Sequence, residues 1–337
     1  MSVSNEIFTS TPVCALEAEL STGLVGLKGE LDSQSVEIKA VEANTGVRGI
    51  QRFITLAKPE ITLMVIISAG VACLMTSGSL KIAVLLNTVL GTGLLAAGAS
   101  TLNQYLERAL DGRMRRTSRR PLPSGQLTAR AALVFGLSLS VAGTIDLFLF
   151  LNALTGLLGL FTLFSYLFVY TPLKRRTTLC TFVGAIPGAA PILIGWAAAN
   201  NSLALEAWAL FAILFFWQFP HFYAIGWLYR EDYARAGMLM TPAVDTEDGA
   251  KTFRLILIST QVLIIATLLL TFVAPTSTLY FPVASILGLA FYYIAYRAHV
   301  TRSKLAAKRL LHASVIYLAL LYVVIALDSL ILQTETK

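Results

Sequence analysis

The chain has 337 residues, of which 56% are hydrophobic and only 13% are charged. Soluble domains average roughly 25% charged residues, so this composition excludes an ordinary soluble protein. The 26 basic and 19 acidic residues give a net charge of +7. The basic residues flank apolar segments, however, and this excludes nucleic acid as an expected partner. The three cysteines show neither CxxC nor metal-ligand spacing, so no disulfide framework is predicted.

Residues 1–48 differ in character from the rest of the chain. They are mildly acidic and lack the basic and apolar regions of a signal peptide. They also lack the arginine-rich, acid-poor composition of a mitochondrial presequence. We predict a mostly disordered cytoplasmic tail here, followed by one membrane domain over residues 49–337.

Nine apolar segments follow this tail, and a bilayer core needs about 20 apolar residues per helix. The segments span residues 59–78, 81–102, 129–149, 151–170, 178–199, 204–228, 253–273, 278–297 and 311–332. The link between the third and the fourth is very short, and the sixth carries Gln218, Pro220 and His221 within its apolar stretch. The predicted fold class is an all-α integral membrane protein with nine transmembrane helices.

The loops between these segments alternate in charge. Basic residues precede the first segment and follow the second, fourth, sixth and eighth, while the other loops carry neither lysine nor arginine. Cytoplasmic loops are enriched in lysine and arginine. We therefore predict a multi-pass protein of a bacterial inner membrane, with its N-terminus in the cytoplasm and its C-terminus outside.

The polar stretch at residues 103–125 lies at the cytoplasmic end of the second segment. Asn103, Glu107 and Asp111 are spaced i, i+4 and i+8, so on a helix they share one face with about 6 Å between neighbours. Two carboxylates and an amide oxygen suit Mg²⁺, which completes its shell with water and phosphate oxygens. The arginines nearby match phosphate geometry. Together these features predict a site for Mg²⁺ and a diphosphate.

Other roles for these residues remain open. Arginines after a membrane segment often serve as topology determinants and contact lipid headgroups. Glu107 and Asp111 would then form salt bridges with those arginines within the loop. Asn103 lies one turn deeper, where its alternative role is a hydrogen bond to a neighbouring helix.

A second stretch, residues 215–242, also runs from the membrane into a cytoplasmic loop. His221 lies at predicted membrane depth, and the adjacent acids Glu231 and Asp232 follow it. An unbroken helix would place His221 and Asp232 within roughly 20° on one face, although Pro220 is a potential kink. Two acid-bearing helix ends on one face would suit two metal ions around one diphosphate.

Three separated motifs resemble one known family. The pattern Asn-x3-Glu-x3-Asp followed by RMRRTSRRPLPSG is similar to the first signature of the UbiA superfamily of intramembrane prenyltransferases. YTPLKRRT, at residues 170–177, resembles the exit of that family's fourth span. GAIPGAAPILIGWAA and WQFPHFYAIGWLYREDYARAGMLMTP resemble its heme-farnesylating branch, the heme O synthases. The resemblance covers roughly residues 50–332 and implies a bundle of nine helices around a central cavity.

The resemblance also implies roles for individual residues. Asn103, Glu107 and Asp111 would correspond to the first Mg²⁺–diphosphate motif, and Glu231 and Asp232 to the second. The cations that would bind the diphosphate are Arg116, Arg119, Arg120, Lys174 and Arg175. This chain departs from the quinone-type members, which carry Asp-x3-Asp at the second motif, where it reads YREDY. In this chain tyrosines therefore stand at the two ends of the second motif, where the quinone-type members carry the aspartates of the second metal site.

The substrates implied by the resemblance are farnesyl diphosphate and heme B. A farnesyl cation would attack a heme vinyl group, and addition of water would give heme O. His221 has three candidate roles: an axial contact with heme iron, proton transfer during water addition, or a hydrogen bond to a neighbouring helix. Aromatic side chains of the sixth segment would line the cavity and favour the cation, or simply pack in the bundle. They are Phe215, Phe216, Trp217, Phe219, Phe222 and Tyr223.

Two other functions remain open. One is a prenyltransferase of the same family that acts on a quinone precursor or another aromatic acceptor, although His221 and the YREDY motif argue against it. The other is a membrane transporter. Transporters place their polar residues near the bilayer midplane, whereas these carboxylates lie at the cytoplasmic ends of two spans. A heme A synthase, which oxidises heme O, would be a natural partner of a heme O-forming enzyme.

Overall fold

A computed structural model of the chain describes residues 49–76 and 81–335. The tail predicted over residues 1–48 lies outside them. The described residues form helices and connecting loops, without a strand. Internal contacts divide the chain into two units, Met1–Arg52 and Phe53–Lys337, and the architecture below is that of the second unit.

Long helices follow one another along the described chain, and two short helices lie in the connection between α7 and α10. They are α1 (Gly49–Ala57), α2 (Pro59–Leu74), α3 (Ile82–Asp111), α4 (Ala129–Leu151), α5 (Ala153–Leu173), α6 (Cys180–Asn200), α7 (Leu205–Leu228), α8 (Arg230–Arg235), α9 (Thr241–Val244), α10 (Ala250–Val273), α11 (Tyr280–Thr301) and α12 (Lys304–Glu335). The last turn of α4 (Leu147–Leu151) and the segment Ser165–Tyr170 of α5 are π-helical.

Within the described residues, eight helices are long and apolar enough to cross a bilayer, and α1 with α2 forms a ninth candidate, bent by 46°. This agrees with the nine predicted segments. The bend falls at Lys58, whose backbone is left-handed (φ 47°, ψ 69°) directly before Pro59. A left-handed residue does not continue a right-handed helix, so the chain changes direction there.

The helix boundaries differ from the predicted ones where the polar residues begin. α3 continues to Asp111, whereas the second apolar segment was predicted to end at residue 102. α12 begins at Lys304, ahead of the predicted start at residue 311. In both cases the helix extends through residues rich in good helix formers such as leucine, alanine, lysine, arginine and glutamate. The first polar cluster therefore lies on an intact helix and not in a loop.

Glycines bring the helices of the bundle close together. A Cβ atom at Gly195 of α6 would lie 1.9 Å from the carbonyl oxygen of Ala69 in α2, and one at Gly143 of α4 would lie 2.7 Å from that of Gly91 in α3. Membrane helices associate through such small residues because lipid provides no hydrophobic drive between helices. The largest core cluster lies mainly among α6, α7, α10, α11 and α12. Many large apolar side chains on the outer faces stay exposed, as a lipid-facing surface requires.

The helix of the sixth span does not continue to the acidic pair. α7 ends at Leu228, and Tyr229 (φ −114°, ψ 22°) separates it from the short helix α8. The unbroken helix that would place His221 and Asp232 on one face is therefore not present. The break lets Asp232 contact the loop that follows α3.

Candidate active site

Asn103, Glu107 and Asp111 lie on one face at the C-terminal end of α3. The helix is unbroken through all three, so their spacing aligns them as predicted. They are only 2%, 7% and 2% exposed, respectively. Buried polar groups need hydrogen-bond partners, and each of the three is bound by a different part of the chain.

Glu107 is bound by Lys174, which follows α5. Lys174 Nζ donates to both carboxylate oxygens of Glu107, at 2.8 and 3.0 Å, and lies 4.6 Å from the centre of the Tyr170 ring. Burial by itself lowers the pKa of Lys174, but Tyr170 and Glu107 more than offset this and raise that pKa above its ordinary value. Lys174 is therefore a permanent, buried cation beside the carboxylate.

Asp111 is bound by the loop that follows α3. Arg120 Nη1 donates to Asp111 Oδ2 at 2.8 Å, and Thr117 Oγ1 donates to the carbonyl oxygen of Asp111 at 2.9 Å. The arginine-rich loop thus folds back over the end of its own helix. This brings one of the predicted diphosphate cations into contact with one of the predicted metal ligands.

Asn103 is bound by α5, at its π-helical segment and at the residue that follows that segment. Its Nδ2 donates to Thr171 Oγ1 at 3.0 Å, and its Oδ1 accepts from the Tyr166 hydroxyl at 3.3 Å. The helix–helix hydrogen bond that was the alternative role for Asn103 is therefore present. π-helical turns are rare and occur frequently at functional sites. We call Asn103, Glu107 and Asp111, with their partners Lys174 and Arg120, the α3 cluster. The π-helical segment carries Tyr166, which contacts Asn103, and Tyr170, which contacts Lys174.

Lys58 lies near this cluster, although no sequence motif marks it as a site residue. Its main electrostatic neighbours are the cations Arg120 and Lys174 and the carboxylates Glu107 and Asp111. The signal in the sequence was a basic residue directly before a proline at the start of the first span. That signal was used only to orient the chain in the membrane.

Asp232 holds the loop after α3 from the other side. Its carboxylate accepts the backbone N–H groups of Arg115 and Arg116, at 3.2 and 3.1 Å, and pairs with Arg235 at 2.9 Å. Burial raises the pKa of Asp232, but these donors outweigh burial and hold that pKa below its ordinary value. A carboxylate has about four acceptor positions, so most of those on Asp232 are used by protein donors.

Glu231 does not join the cluster. Its side chain is exposed and pairs with Lys304 at the start of α12, at 3.1 Å. Consecutive residues on a helix point about 100° apart, so Glu231 and Asp232 have different neighbours. Glu231 pairs with Lys304 and Asp232 with Arg235, and the second metal site that these two acids were expected to form stays a prediction.

The five predicted diphosphate cations have different surroundings. Lys174 and Arg120 lie at the carboxylates of α3. Arg116 lies over an aromatic ring at the junction of α7 and α8, 4.8 Å from its centre. Arg119 and Arg175 are exposed and form no ion pair with another described residue. The structure thus brings two of the five to the cluster.

His221 is half-buried on α7 and contacts α12. Its Nδ1 lies 2.8 Å from Ser314 Oγ, and its ring stacks on that of Trp217 with ring centres 4.7 Å apart. Trp217 Nε1 donates to the carbonyl oxygen of Ser314 at 2.7 Å. Of the three candidate roles for His221, the hydrogen bond to a neighbouring helix is present. Among the described residues no hydrogen bond involves the other ring nitrogen, Nε2.

The aromatic residues of α7 pack largely against one another. The Phe215 ring centre lies 5.2 Å from those of Phe216 and Phe219. Phe219 in turn lies 6.2 Å from Tyr223, and Phe182 of α6 lies 5.4 Å from Phe215. Aromatic pairs at such distances stabilise a core by themselves. Packing, the alternative role for these side chains, therefore accounts for their contacts.

The donor set at the end of α3 fits a hard divalent cation. It offers two carboxylates and an amide oxygen on one face, and Mg²⁺ takes a few such oxygens together with water and phosphate. Among the described residues no group of three His, Cys, Asp or Glu side chains is close enough to hold a metal. The remaining ligands would therefore come from outside the chain. The cations that balance these carboxylates are themselves suited to phosphate oxygens.

The sequence profile of the UbiA prenyltransferase family matches residues 63–323. The match extends over well more than half of the chain. The chain belongs to the UbiA prenyltransferase family. The family that the motifs predicted is therefore confirmed, and with it the all-helical membrane fold.

Relatives within the UbiA family share one name. The chain is 47% identical over 286 residues to a protoheme IX farnesyltransferase of Solibacter usitatus, and the match covers 82% of this chain and 98% of the relative. It is 39% identical over 295 residues to a protoheme IX farnesyltransferase of Koribacter versatilis, covering 84% of this chain and 95% of the relative. The similarity thus extends over nearly the whole of each relative.

Solved structures share the UbiA fold. A structure of digeranylgeranylglyceryl phosphate synthase superposes with a TM-score of 0.69 at 16% identity and covers 83% of this chain and 98% of that chain. A UbiA homologue from Archaeoglobus fulgidus, bound to DMAPP and Mg²⁺, superposes with a TM-score of 0.59 at 18% identity and covers 82% of this chain and 99% of that chain. At such low identity the likeness establishes the fold alone.

Proposed function

We propose that this UbiA-family chain transfers the farnesyl group of farnesyl diphosphate to a vinyl group of heme B, with addition of water, giving heme O and diphosphate. The observation that carries the proposal is the buried pairing of carboxylates with cations at the end of α3. The relatives named protoheme IX farnesyltransferase support the two substrates. The homologue bound to DMAPP and Mg²⁺ supports a prenyl diphosphate and this metal.

Binding of the diphosphate would exchange the partners within the α3 cluster. Lys174 and Arg120 would leave the carboxylates for phosphate oxygens, which carry more negative charge and match their donor geometry. The freed oxygens of Glu107 and Asp111, with Asn103, would hold Mg²⁺. When bound there, the metal would supply charge neutralisation for the leaving group. No charged group would be left buried without a partner in either state.

The diphosphate leaves when its C–O bond to the farnesyl group breaks, and an allylic cation remains. Lys58, Arg120 and Lys174 stabilise the negative charge that develops on the leaving group. The π electrons of the vinyl group then attack the cation, which forms a C–C bond. Water adds to the new cationic carbon and loses a proton. The apolar helices around the cluster would keep bulk water from the farnesyl cation before that attack.

We also propose that this chemistry takes place at the cytoplasmic face of a bacterial inner membrane. α3 ends at Asp111 and α7 ends at Leu228. Because the chain crosses the bilayer four times between these two points, in α4, α5, α6 and α7, both C-terminal ends lie on the same side. The loops on that side carry the basic residues, and such loops are cytoplasmic in most membrane proteins.

The test is an extraction of hemes from membranes that contain this chain in a host without its own heme O synthase, followed by liquid chromatography and mass spectrometry. The wild-type chain should produce a farnesylated heme. Asp111→Ala should reduce it by about a hundredfold or more, the usual cost of losing one group that stabilises developing charge. Glu247→Ala, at an exposed loop residue, is the control and should leave the output unchanged.

If a folded, membrane-inserted wild-type chain yields only heme B, heme is not the acceptor. Incubation of the same membranes with farnesyl diphosphate and quinone precursors would then test the other acceptor class of this family. A farnesylated heme that persists in Asp111→Ala would instead contradict the role assigned to the α3 cluster.

A further inference from the structure

His221 is held in one tautomer by its contact with α12. Ser314 Oγ donates its single hydrogen to the carbonyl oxygen of Leu311, at 2.7 Å. The same Oγ lies 2.8 Å from His221 Nδ1 and, with its hydrogen used, it accepts there. In this arrangement the proton of a neutral imidazole sits on Nδ1. Nε2 then carries an unshared electron pair.

Two further contacts fix the ring without using Nε2. Trp217, one turn earlier on α7, stacks on one face of the imidazole, with the planes 23° apart. Trp217 is itself anchored, because its Nε1 donates to the carbonyl oxygen of Ser314. No hydrogen bond among the described residues involves Nε2, and His221 is only half-buried. A basic nitrogen is thus held in a defined orientation and left open.

This arrangement is that of a metal-ligating histidine. Such residues almost always donate one ring N–H to a protein oxygen, which sets the tautomer and orients the other nitrogen toward the metal. Within the described chain no cluster of three metal-ligating side chains gathers at His221. A metal that already has most of its ligands, such as iron in a porphyrin, needs only one axial group from the protein. Heme therefore suits this histidine better than a free ion does.

The depth of His221 in the membrane matches the place of the reaction. His221 lies seven residues before the end of α7 at Leu228, and Asn103 lies eight residues before the end of α3 at Asp111. Both are therefore about 10–12 Å from helix ends on the same side of the bilayer. A prenyl chain whose diphosphate is bound at the end of α3 would have its first carbons near this level.

We propose that His221 is the axial ligand that holds the iron of heme B during farnesylation, with Ser314 and Trp217 positioning its imidazole. Coordination at the iron anchors the centre of the porphyrin and leaves its vinyl groups at the edge free to react. The identity of the heme rests on the proposed function. The assignment of Nε2 as the coordinating atom rests on the hydrogen bonds of this chain.

The test uses purified full-length protein in lipid nanodiscs, titrated with heme B under reducing conditions. Resonance Raman spectra should show an iron–histidine stretching band in the wild type and not in His221→Ala, whose heme affinity should fall about tenfold or more. Imidazole added to His221→Gly should restore an iron–imidazole band. His312→Ala, at an exposed residue of α12, is the matched control and should keep the wild-type band.

Ser314→Ala keeps the ligand and removes the acceptor for its N–H, so the band should shift and heme binding should weaken by about tenfold. This variant keeps the test decisive if His221→Ala fails to fold. The proposal is overturned by a band that persists in His221→Ala, by an unshifted band in Ser314→Ala, or by folded wild-type protein that binds no heme. Heme O made without ligation by His221 contradicts this inference alone. Ligation by His221 without heme O contradicts the proposed function alone.

Discussion

Lys174 and Glu107 form the most buried ion pair of the site, with side chains 10% and 9% exposed. Loss of one partner of such a pair leaves an uncompensated charge in a region of low dielectric, whereas loss of both partners leaves none. In the proposed function, the free energy of unfolding and the binding of diphosphate depend on the same two side chains, but in different ways. Stability requires that the charges of Lys174 and Glu107 balance each other. The proposed binding of diphosphate and Mg²⁺ requires that both charged groups are present.

Lys174→Met should lower the free energy of unfolding by about 3 kcal/mol. Addition of Glu107→Gln should restore most of that loss, because neither charge is then left alone. The double variant should still make no heme O, since both groups are missing from the site. Thermal unfolding in detergent and heme extraction from the same membranes measure the two effects. A single variant as stable as the double one would contradict this coupling.

Two variants at Lys58 separate the effect of its charge on substrate binding from the effect of its strained backbone on stability. Its left-handed conformation costs a residue with a side chain about 1–2 kcal/mol, and glycine avoids that cost. Lys58→Gly should therefore be at least as stable as the wild type, while the KM for farnesyl diphosphate should rise about tenfold through loss of a charge-assisted contact. Lys58→Met is the control: it should show the same rise in KM without any gain in stability. An unchanged KM in both variants would remove Lys58 from the site.

Among the helices, the contact between α2 and α6 depends on Gly195. A Cβ atom there would lie 1.9 Å from the main-chain oxygen of Ala69, which cannot rotate away. Gly195→Ala should therefore push the helices apart and destabilise the protein by about 2 kcal/mol or more. Gly70→Ala, whose added Cβ would have its nearest neighbour at 3.9 Å, should be neutral or slightly stabilising. Equal melting temperatures for the two variants would show that this helix contact is looser than described.

Two irregular elements decide where the site forms. The π-helical segment Ser165–Tyr170 carries the tyrosines that contact the α3 cluster. The break at Tyr229 allows Asp232 to accept the backbone N–H groups of the loop after α3. Because the pKa of Asp232 is lowered in the fold, its stabilising contribution is fully present above the pKa of an unfolded aspartate. That contribution is lost as the pH falls through the lowered value.

For the molecule as a whole, the distribution of basic residues predicts the side on which the proposed chemistry takes place. Single-cysteine variants on a background without the native cysteines would test this orientation in intact cells. Ser202→Cys, in the exposed loop between α6 and α7, should react with a membrane-impermeant maleimide added outside. Arg119→Cys, in the exposed loop after α3, should react only after the membrane is opened. The reverse pattern would place the site on the outer face.

The membrane fold was predictable because it depends on local patterns. A run of about 20 apolar residues identifies a span wherever the span packs. The i, i+4, i+8 spacing likewise aligned Asn103, Glu107 and Asp111 before any tertiary contact was considered. Whether His221 and Asp232 share a face depended on whether one helix continues through Tyr229, and the helix breaks there. Periodicity along a single segment does not contain that break, nor the contacts that Asp232 then makes with the loop after α3.

The sequence by itself determined the class of protein, the helical spans and the stretches that hold the acidic and basic groups, because apolar length and helical spacing are properties of neighbouring residues. Only the tertiary structure decided which groups meet. Glu107 finds Lys174 across 67 residues of chain, and His221 finds Ser314 across 93. Such pairs form because close packing of whole helices brings their faces together, and the energy that selects the packing is spread over the entire bundle.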